Sequence, residues 1–564
     1  MKRLPNSLKN WINTDRSDFI RTLLLSEGFG FCLCLSFIWG YRLDRYGSVS
    51  GWLVPSLILS LVLGDVLSDV LMCLWAVLRD RESARICESD SGINDMNPET
   101  RPRTISVRLW VISGVLILIA WVPVWLAYYP AVFAYDAETQ LGQVISQIYS
   151  THHPLMHTLI MGGCMKLMWD VGGINAGMAM YAALQMILMA GVCGWMIAEA
   201  HRLGTRRWLL WVYGCFCALF PVHAILAIST TKDSVFAGLM AVFVLLVRRC
   251  LADEGGLIRL VVATALMILF RNNAVYALVF MMIILAAVCI TGRRSGRKPV
   301  KGLLIAILIG CIAGCLINTG LKAVLHAESG SPREALSIPI QQMARVYVRH
   351  GEELPAGIAD DLAVLLAGTS EDLTVRYNEH LADPVKRQIY MKEPARFVKT
   401  WVRLGLRYPG DYLDAWLYTT EGAWYIRDTS VNRIYGEGSA GGFGYLSTDI
   451  RSMPAGFEVI PRSFIPGLRS GLERLVSDNV FEKIPVIRLV FSPALYVWIL
   501  AGYGYVRRVR RDYVSTAVLL YPLAVYLTIL MGPAVLIRYM YPYMLLVLLP
   551  MLPAHAAAYR MGDT

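Results

Sequence analysis

Charge is what this sequence has least of. Lysine, arginine, aspartate and glutamate make up 17% of its 564 residues, against about 25% in an ordinary soluble domain. That shortage excludes a typical water-soluble enzyme. Its cause is a series of almost uncharged windows of about 20 residues, each long enough to cross a hydrocarbon core of about 30 Å. Strict alternation is also lacking: the apolar runs are continuous, which disfavours a membrane β-barrel. The 12 cysteines include no Cys-x-x-Cys pair. Almost all of them, Cys32, Cys34, Cys215, Cys217, Cys311 and Cys315 among them, lie in or beside apolar runs, so they read as small buried hydrophobes rather than zinc or redox ligands. The first apolar run starts late and lacks a small-residue cleavage site, so it is expected to anchor the chain rather than to be removed. Neither an internal repeat nor a low-complexity tract is evident.

What is present is apolar and basic. Hydrophobic residues make up 56% of the chain and the net charge is +11. The basic residues fall in short clusters between apolar runs, such as Arg202–Arg207, Arg248–Arg249, Arg293–Lys301 and Arg507–Arg511. This is the distribution of cytoplasmic loops under the positive-inside rule, not a nucleic-acid footprint. The expected fold is an all-α polytopic membrane protein. About twelve transmembrane helices are placed near 20–40, 51–78, 107–128, 173–200, 207–227, 232–250, 257–271, 274–291, 301–322, 486–506, 513–531 and 538–558. Twelve crossings put both termini and every basic cluster on the cytoplasmic side. Residues 1–106 form a hairpin and a polar loop, read as an appendage to a core at 107–322. The first outer loop spans 130–172, with an interfacial helix at 155–169. Residues 323–485 hold about half of the acidic residues and no cysteine. Their length exceeds any ordinary loop, so an extracytoplasmic, mostly helical domain is expected, with helical patterning at 334–350, 356–366, 372–382 and 392–405 and a Gly-rich stretch at 436–444. Residues 486–564 supply the last helices.

Against this background a few polar residues stand out. The segment FAYDAETQLGQVISQIYSTHHP (133–154) places Asp136, Glu138, His152 and His153 in the first outer loop. In an extended or turn segment, Asp136 and Glu138 can reach one reacting hydroxyl or one cation. A carboxylate beside lipid loses solvation, which raises its pKa and suits it to act as a base. The histidines can bind phosphate or carry protons, although His153 before Pro154 also reads as a helix cap. PVHAILAISTTKDSVFAGL (221–239) sets Lys232 and Asp233 at the outer boundary of a span, where ionisable groups are costly. Arg271 and Arg538 break the positive-inside rule at outer helix ends. An anionic ligand explains both, since the guanidinium fork fits phosphate, while snorkelling to the headgroups is the simpler alternative. Tyr539, Tyr541 and Tyr543 read as an aromatic belt. Acids to activate a hydroxyl and arginines to hold a phosphate, all assigned to one face, imply sugar transfer from a polyprenyl-phosphate carrier.

The ordered set of the first-loop acid pair, then HPL opening an interfacial helix, then STTKD with its outer Asp233, resembles the GT-C superfamily of integral-membrane glycosyltransferases. The likeness covers roughly 107–325 and, more weakly, the final spans. It implies a GT-C-like core and an inverting transferase in the bacterial cytoplasmic membrane. The active site would lie on the extracytoplasmic face. The donor would be a polyprenyl-phosphate sugar, and the acceptor a cell-envelope glycan, glycolipid or protein. By position, Asp136 corresponds to the catalytic base, Glu138 to its companion acid and Asp233 to the later outer acid. Arg271, Arg538, His152, His153 and Lys232 are the candidates for donor phosphate binding. No cofactor is certain: the resemblance leaves open a divalent cation (Mg or Mn) on Asp136 and Asp233. Acceptor-binding residues are not indicated. A flippase for lipid-linked saccharides, or a glycan polymerase or ligase, is the competing reading. The near absence of mid-span charge, apart from Asp65, Asp69 and Glu199, weighs against transport.

Overall fold

Long apolar runs in lipid leave the backbone only itself to bond with, so they close their N–H and C=O groups in helices. The computed structural model of the chain follows this rule. It describes residues 6–89, 104–133, 135–291, 294–386, 389, 393–426, 453–454, 456–477 and 483–554, and their regular elements are helices, with a few isolated β-bridges. Among the described residues, seven helices are long and apolar enough to cross a membrane, or nine if each of two bent pairs counts as one span. The protein is therefore a multi-pass membrane protein.

Helix α1 (Asn6–Thr14) lies beside the hairpin of α2 (Arg16–Tyr46) and α3 (Leu53–Ser89). Small residues let α2 and α3 touch: a Cβ on Gly30 would stand 2.6 Å from the Gly64 carbonyl oxygen. The hairpin, read from sequence as an appendage, makes contacts with the C-terminal helices. Ser26 Oγ and Tyr505 OH share a 2.7 Å hydrogen bond, Trp75 Nε1 donates to the same hydroxyl, and Phe29 stacks on that ring. The link between the two helices is also anchored. Buried Asp414 accepts from the backbone N–H groups of Val49 and Ser50 and from the hydroxyls of Ser48 and Ser50, at 2.5–3.2 Å.

Helices α4 (Val107–Ala127), α5 (Tyr135–Ser146) and α6 (Leu155–Arg202) follow. The 48 residues of α6 are not one rod. Gly172 and Gly173 leave helical geometry, with Gly173 at φ +60° and ψ −146°, a conformation open to glycine. The chain folds back there. A Cβ on Gly177 would meet the Met165 backbone at 2.5 Å, and His157 lies beside Tyr181. Next come α7 (Arg207–Leu219), bent by 53° from α8 (Pro221–Ile228), then α9 (Lys232–Leu251), α10 (Leu257–Phe270), α11 (Ala274–Thr291) and α12 (Arg294–Val324). Helix α9 is the most enclosed of the spans, 83% buried over its apolar window, so the other helices wrap around it.

The 323–485 region has a core of its own, with Ile340, Met343, Val346, Leu362, Phe397 and Leu404 buried together. It is built from α13 (Ser337–His350), α14 (Ala356–Leu365), α15 (Ser370–Arg376), α16 (Asp383–Lys386), α17 (Pro394–Arg407) and α18 (Pro409–Trp424). The pattern at 372–382 is cut short: α15 ends at Arg376, and Asn378 pairs with Leu381 in a turn. The Gly-rich stretch 436–444 lies outside the described residues. After it the chain crosses the first loop, where Arg462 N–H donates to the Tyr129 carbonyl and Phe464 N–H to that of Leu126. Helices α19 (Pro466–Ser477), α20 (Pro485–Phe491), α21 (Pro493–Val509), α22 (Tyr513–Ala517), α23 (Leu520–Ile529) and α24 (Ile537–Leu545) complete the fold.

Candidate functional site

The starts of three helices converge at one end of the bundle. Asp136 occupies the second position of α5, Asp233 the second of α9 and Arg538 the second of α24. A helix start carries a partial positive charge from its unpaired N–H groups, so it favours acids and resists cations. Thr231 caps α9, its hydroxyl accepting from the Asp233 N–H at 3.3 Å. Arg271 enters from the opposite polarity, as the extended residue that ends α10.

The side chains form one buried ionic network. Lys232 Nζ donates to Asp136 Oδ2, and Arg538 Nη1 reaches the same oxygen at 3.3 Å. Arg538 Nε lies 3.4 Å from Asp233 Oδ2, so this arginine bridges the two acids. Arg271 Nη1 donates to Asp233 Oδ1 at 3.0 Å. Its guanidinium lies over the Phe236 ring at 5.0 Å and the Tyr539 ring at 5.2 Å, which fixes the fork with little loss of freedom on binding. Among the described residues, Asp233 is the one acceptor that Arg271 meets, so most of its five N–H donors are unspent. His153 Nδ1 lies 3.4 Å from Lys232 Nζ and 3.9 Å from Asp136 Oδ2. Arg538 and Asp233 are 4% and 1% exposed, too enclosed for snorkelling.

Burial alone would raise the Asp136 carboxyl, as expected from sequence. The charges of Arg538 and Lys232 outweigh it and hold this carboxyl well below the usual carboxylate range. Burial, and then the Lys232 charge, push His153 down to about 3 against the pull of Asp136, so its ring is neutral at pH 7.

Six of the residues singled out from sequence thus meet: Asp136, Lys232, Asp233, Arg271, Arg538 and His153. Two do not. The D-x-E step falls on a helix rather than a turn, and positions two apart on a helix face different ways. Glu138 is half-buried and makes no ion pair among the described residues. His152 is exposed and rests edge-on against His153, 4.5 Å between ring centres. His153 does not cap α6; Pro154 stands at that position. The tyrosines are not a belt. Tyr541 and Tyr543 are buried, bonded to His223 and to the Pro522 carbonyl, and Tyr539 covers Arg271 and Arg538. Asp136 places Oδ2, and Asp233 both of its oxygens, against cations, and among the described residues no group of three or more His, Cys, Asp or Glu is placed to hold a metal.

Sequence reasoning missed the support behind the network. Gln140 lies one turn beyond Asp136 on α5. Its amide donates to Thr158 Oγ1 at 2.9 Å and its carbonyl faces His157 Nδ1 at 3.1 Å. His157 Nε2 lies 2.7 Å from Tyr181 OH, which donates to Gln185 Oε1 at 2.6 Å. Gln185 Nε2 then donates to the carbonyls of Leu226, Ala227 and Ser229. A buried polar chain therefore runs from the helix that carries Asp136 to the link that leads into Lys232 and Asp233. The signal was there for His157, Tyr181 and Gln185: each is polar within an apolar run, and each needs a partner.

Residues 146–563 match the model of a family described as "Family of unknown function (DUF6020)", and the chain belongs to that family. No curated protein and no solved structure matches it.

Proposed function

We propose, for this member of a family of unknown function, a membrane glycosyltransferase that moves a sugar from a polyprenyl-phosphate carrier to a cell-envelope acceptor with inversion. One observation carries the reading: Lys232, Arg271 and Arg538 gather with Asp136 and Asp233 where three helices begin, in surroundings too enclosed for screening by water. Cations and helix starts together favour an anion such as a phosphate. The carboxylates hold those cations in place until the anion arrives. The cluster lies at helix ends rather than along the depth of the bundle, which favours transfer over transport. Seven spans, two bent pairs and three shorter apolar helices make twelve apolar segments, compatible with a GT-C-like core. Under that topology the cluster faces the extracytoplasmic side of the bacterial cytoplasmic membrane.

In the proposed reaction an acceptor hydroxyl oxygen bonds to the anomeric carbon as the bond from that carbon to the phosphate oxygen breaks. The hydroxyl proton goes to Asp136, and the lipid phosphate leaves with one more negative charge. Unliganded, Asp136 is a weak base because Lys232 and Arg538 share its oxygen. A bound phosphate draws on both cations, and the carboxylate recovers basicity. Donor binding thereby switches on the base. The charge that builds on the leaving phosphate meets cations already in position, the largest single source of rate enhancement in many enzymes.

The test is turnover by purified protein in lipid nanodiscs with a panel of polyprenyl-phosphate sugars, wild type against Asp136→Asn. Donor binding kept and transfer lost in the variant supports the reading. Wild type that binds no donor of the panel overturns it.

A further inference from the structure

Helix α17 has two apolar faces, and the domain it belongs to uses one. Phe397, Thr400 and Leu404 are buried on that face, and Trp401 beside them donates from Nε1 to Gln342 Oε1 at 2.8 Å. Val398, Val402 and Leu406 recur at every fourth position on the opposite side and form a ridge. They are 53%, 46% and 82% exposed. Lys399, Arg403 and Arg407 follow them by one residue each and form a second exposed ridge alongside. Helix α17 contains no acidic residue, and none of these three cations makes an ion pair among the described residues.

The helix starts from the level of a membrane surface. A link of a few residues between the spans Arg16–Tyr46 and Ser50–Arg79 has to lie at such a surface. Tyr46 and Trp52 are exposed there, and the Arg42 guanidinium stands over both rings, at 4.4 and 5.2 Å, as aromatic and basic residues do at an interface. Helix α18 begins against this link: a Cβ on Gly410 would stand 2.8 Å from Ser50 Cβ. Tyr408 alone separates α17 from α18. The domain is also tied through the chain to the span Lys298–Val324 before it and to the bent pair ending in Pro493–Val509 after it, so lipid is always within reach.

We propose that α17 is an interfacial anchor, which docks the 323–485 domain on an anionic bilayer surface. Val398, Val402 and Leu406 enter the boundary between headgroups and acyl chains, and Lys399, Arg403 and Arg407 reach lipid phosphates from beside them. A helix in the interface plane has this division, an apolar ridge with lysine and arginine at its border. The long basic stems lie along apolar surface while their heads stay among the headgroups. The inference is independent of the reaction proposed above. The domain so held also braces the candidate site. Its Ala382 N–H donates to the Pro533 carbonyl at 2.9 Å, and Leu381 packs with Ala534 and Leu536, just ahead of Arg538 on α24.

The experiment places a photo-crosslinking benzoylphenylalanine at position 402, and separately at 406, in the full-length protein. The protein is reconstituted in vesicles of phosphatidylcholine, or of phosphatidylcholine with about one third phosphatidylglycerol. Mass spectrometry of the α17 peptide identifies what the probe captures. Lipid adducts are expected at both positions. One basic side chain near an anionic surface favours docking by about fivefold, so three should raise the lipid yield at least about fivefold when phosphatidylglycerol is present. Replacing the cations together, Lys399→Gln, Arg403→Gln and Arg407→Gln, should cancel that rise. The comparison of lipids needs no charge variant, so it decides the matter even if the triple variant fails to fold. Adducts to protein alone, whether to this chain, a second copy or another protein, overturn the proposal. A lipid yield that is equal in the two kinds of vesicle overturns it as well.

Discussion

Arg538 is the residue whose loss should reveal most about the network. It is 4% exposed and reaches Asp136 Oδ2 at 3.3 Å and Asp233 Oδ2 at 3.4 Å, the one cation among the described residues that touches both acids. Arg538→Gln keeps hydrogen-bonding capacity and much of the volume but removes the charge. Removing one partner of a buried ion pair costs roughly 3–5 kcal/mol, because the other charge is left uncompensated. Here each acid keeps a second partner, Lys232 for Asp136 and Arg271 for Asp233. The loss should therefore lie near the lower bound, about 3 kcal/mol, or roughly a hundredfold in the population of opened molecules. Buried Cys217, in the main apolar core, gives a direct assay: its rate of alkylation in nanodiscs reports how often the bundle opens. The rate should rise by about two orders of magnitude in Arg538→Gln. Adding Asp136→Asn removes one of the stranded acids and should restore roughly 1–3 kcal/mol, the coupling typical of contacting charges. Arg538→Gln within about 0.5 kcal/mol of wild type, or a double variant worse than the sum of its parts, would show that these charges do not stabilise one another.

Three further outcomes follow from particular contacts. His153 has a folded-state pKa near 3 against about 6.5 in an unfolded chain, so the unfolded state takes up a proton first as pH falls. Stability should be full above about pH 6.5 and fall by roughly 1.4 kcal/mol per unit below it, about 2 kcal/mol by pH 5, and His153→Gln should flatten that slope in thermal unfolding scans. Gln185→Leu takes a donor from the carbonyls of Leu226, Ala227 and Ser229, of which Leu226 keeps the Ser234 hydroxyl and Ser229 the Thr231 N–H. It should cost about 1–3 kcal/mol and weaken binding of a phosphodiester lipid, since Lys232 and Asp233 follow that link; unchanged affinity would refute a positioning role. Asp414→Leu removes four hydrogen bonds to residues 48–50, so protease cleavage at 47–52 should accelerate at least about tenfold, and a rate equal to wild type would mean that the link is held without Asp414.

The apolar segments were legible in the sequence because a membrane span is a local property: about 20 residues suffice to declare it. Arg271 and Arg538 were legible for a related reason, since a charge at the wrong end of a span has no local excuse. Pairing is different. Arg538 and Asp136 stand 402 positions apart, and no local pattern links them. The phase of a short helix was also out of reach. FAYDAETQLG reads equally as a turn or a first helical turn, and that choice alone decides whether Glu138 joins Asp136. The hairpin at 16–89 looked separate because a polar loop follows it, but loop composition says nothing about packing. Its anchors include single residues such as Tyr505 and Asp414 in distant parts of the chain.

Asp136 shows why the site could be located more readily than its chemistry. Burial was inferred correctly, and burial by itself raises a carboxyl. The sign of the net shift depends on how many cations share the burial, and that is a tertiary quantity. Two cations on one oxygen reverse it. The reversal constrains mechanism: a carboxylate so held cannot be a strong base while its partners stay, so any role for it in proton transfer requires something to draw Lys232 and Arg538 away. An anion is what cations leave a carboxylate for. The same geometry that weakens Asp136 as an unliganded base is thus in keeping with the proposal that a phosphate-bearing ligand completes the site.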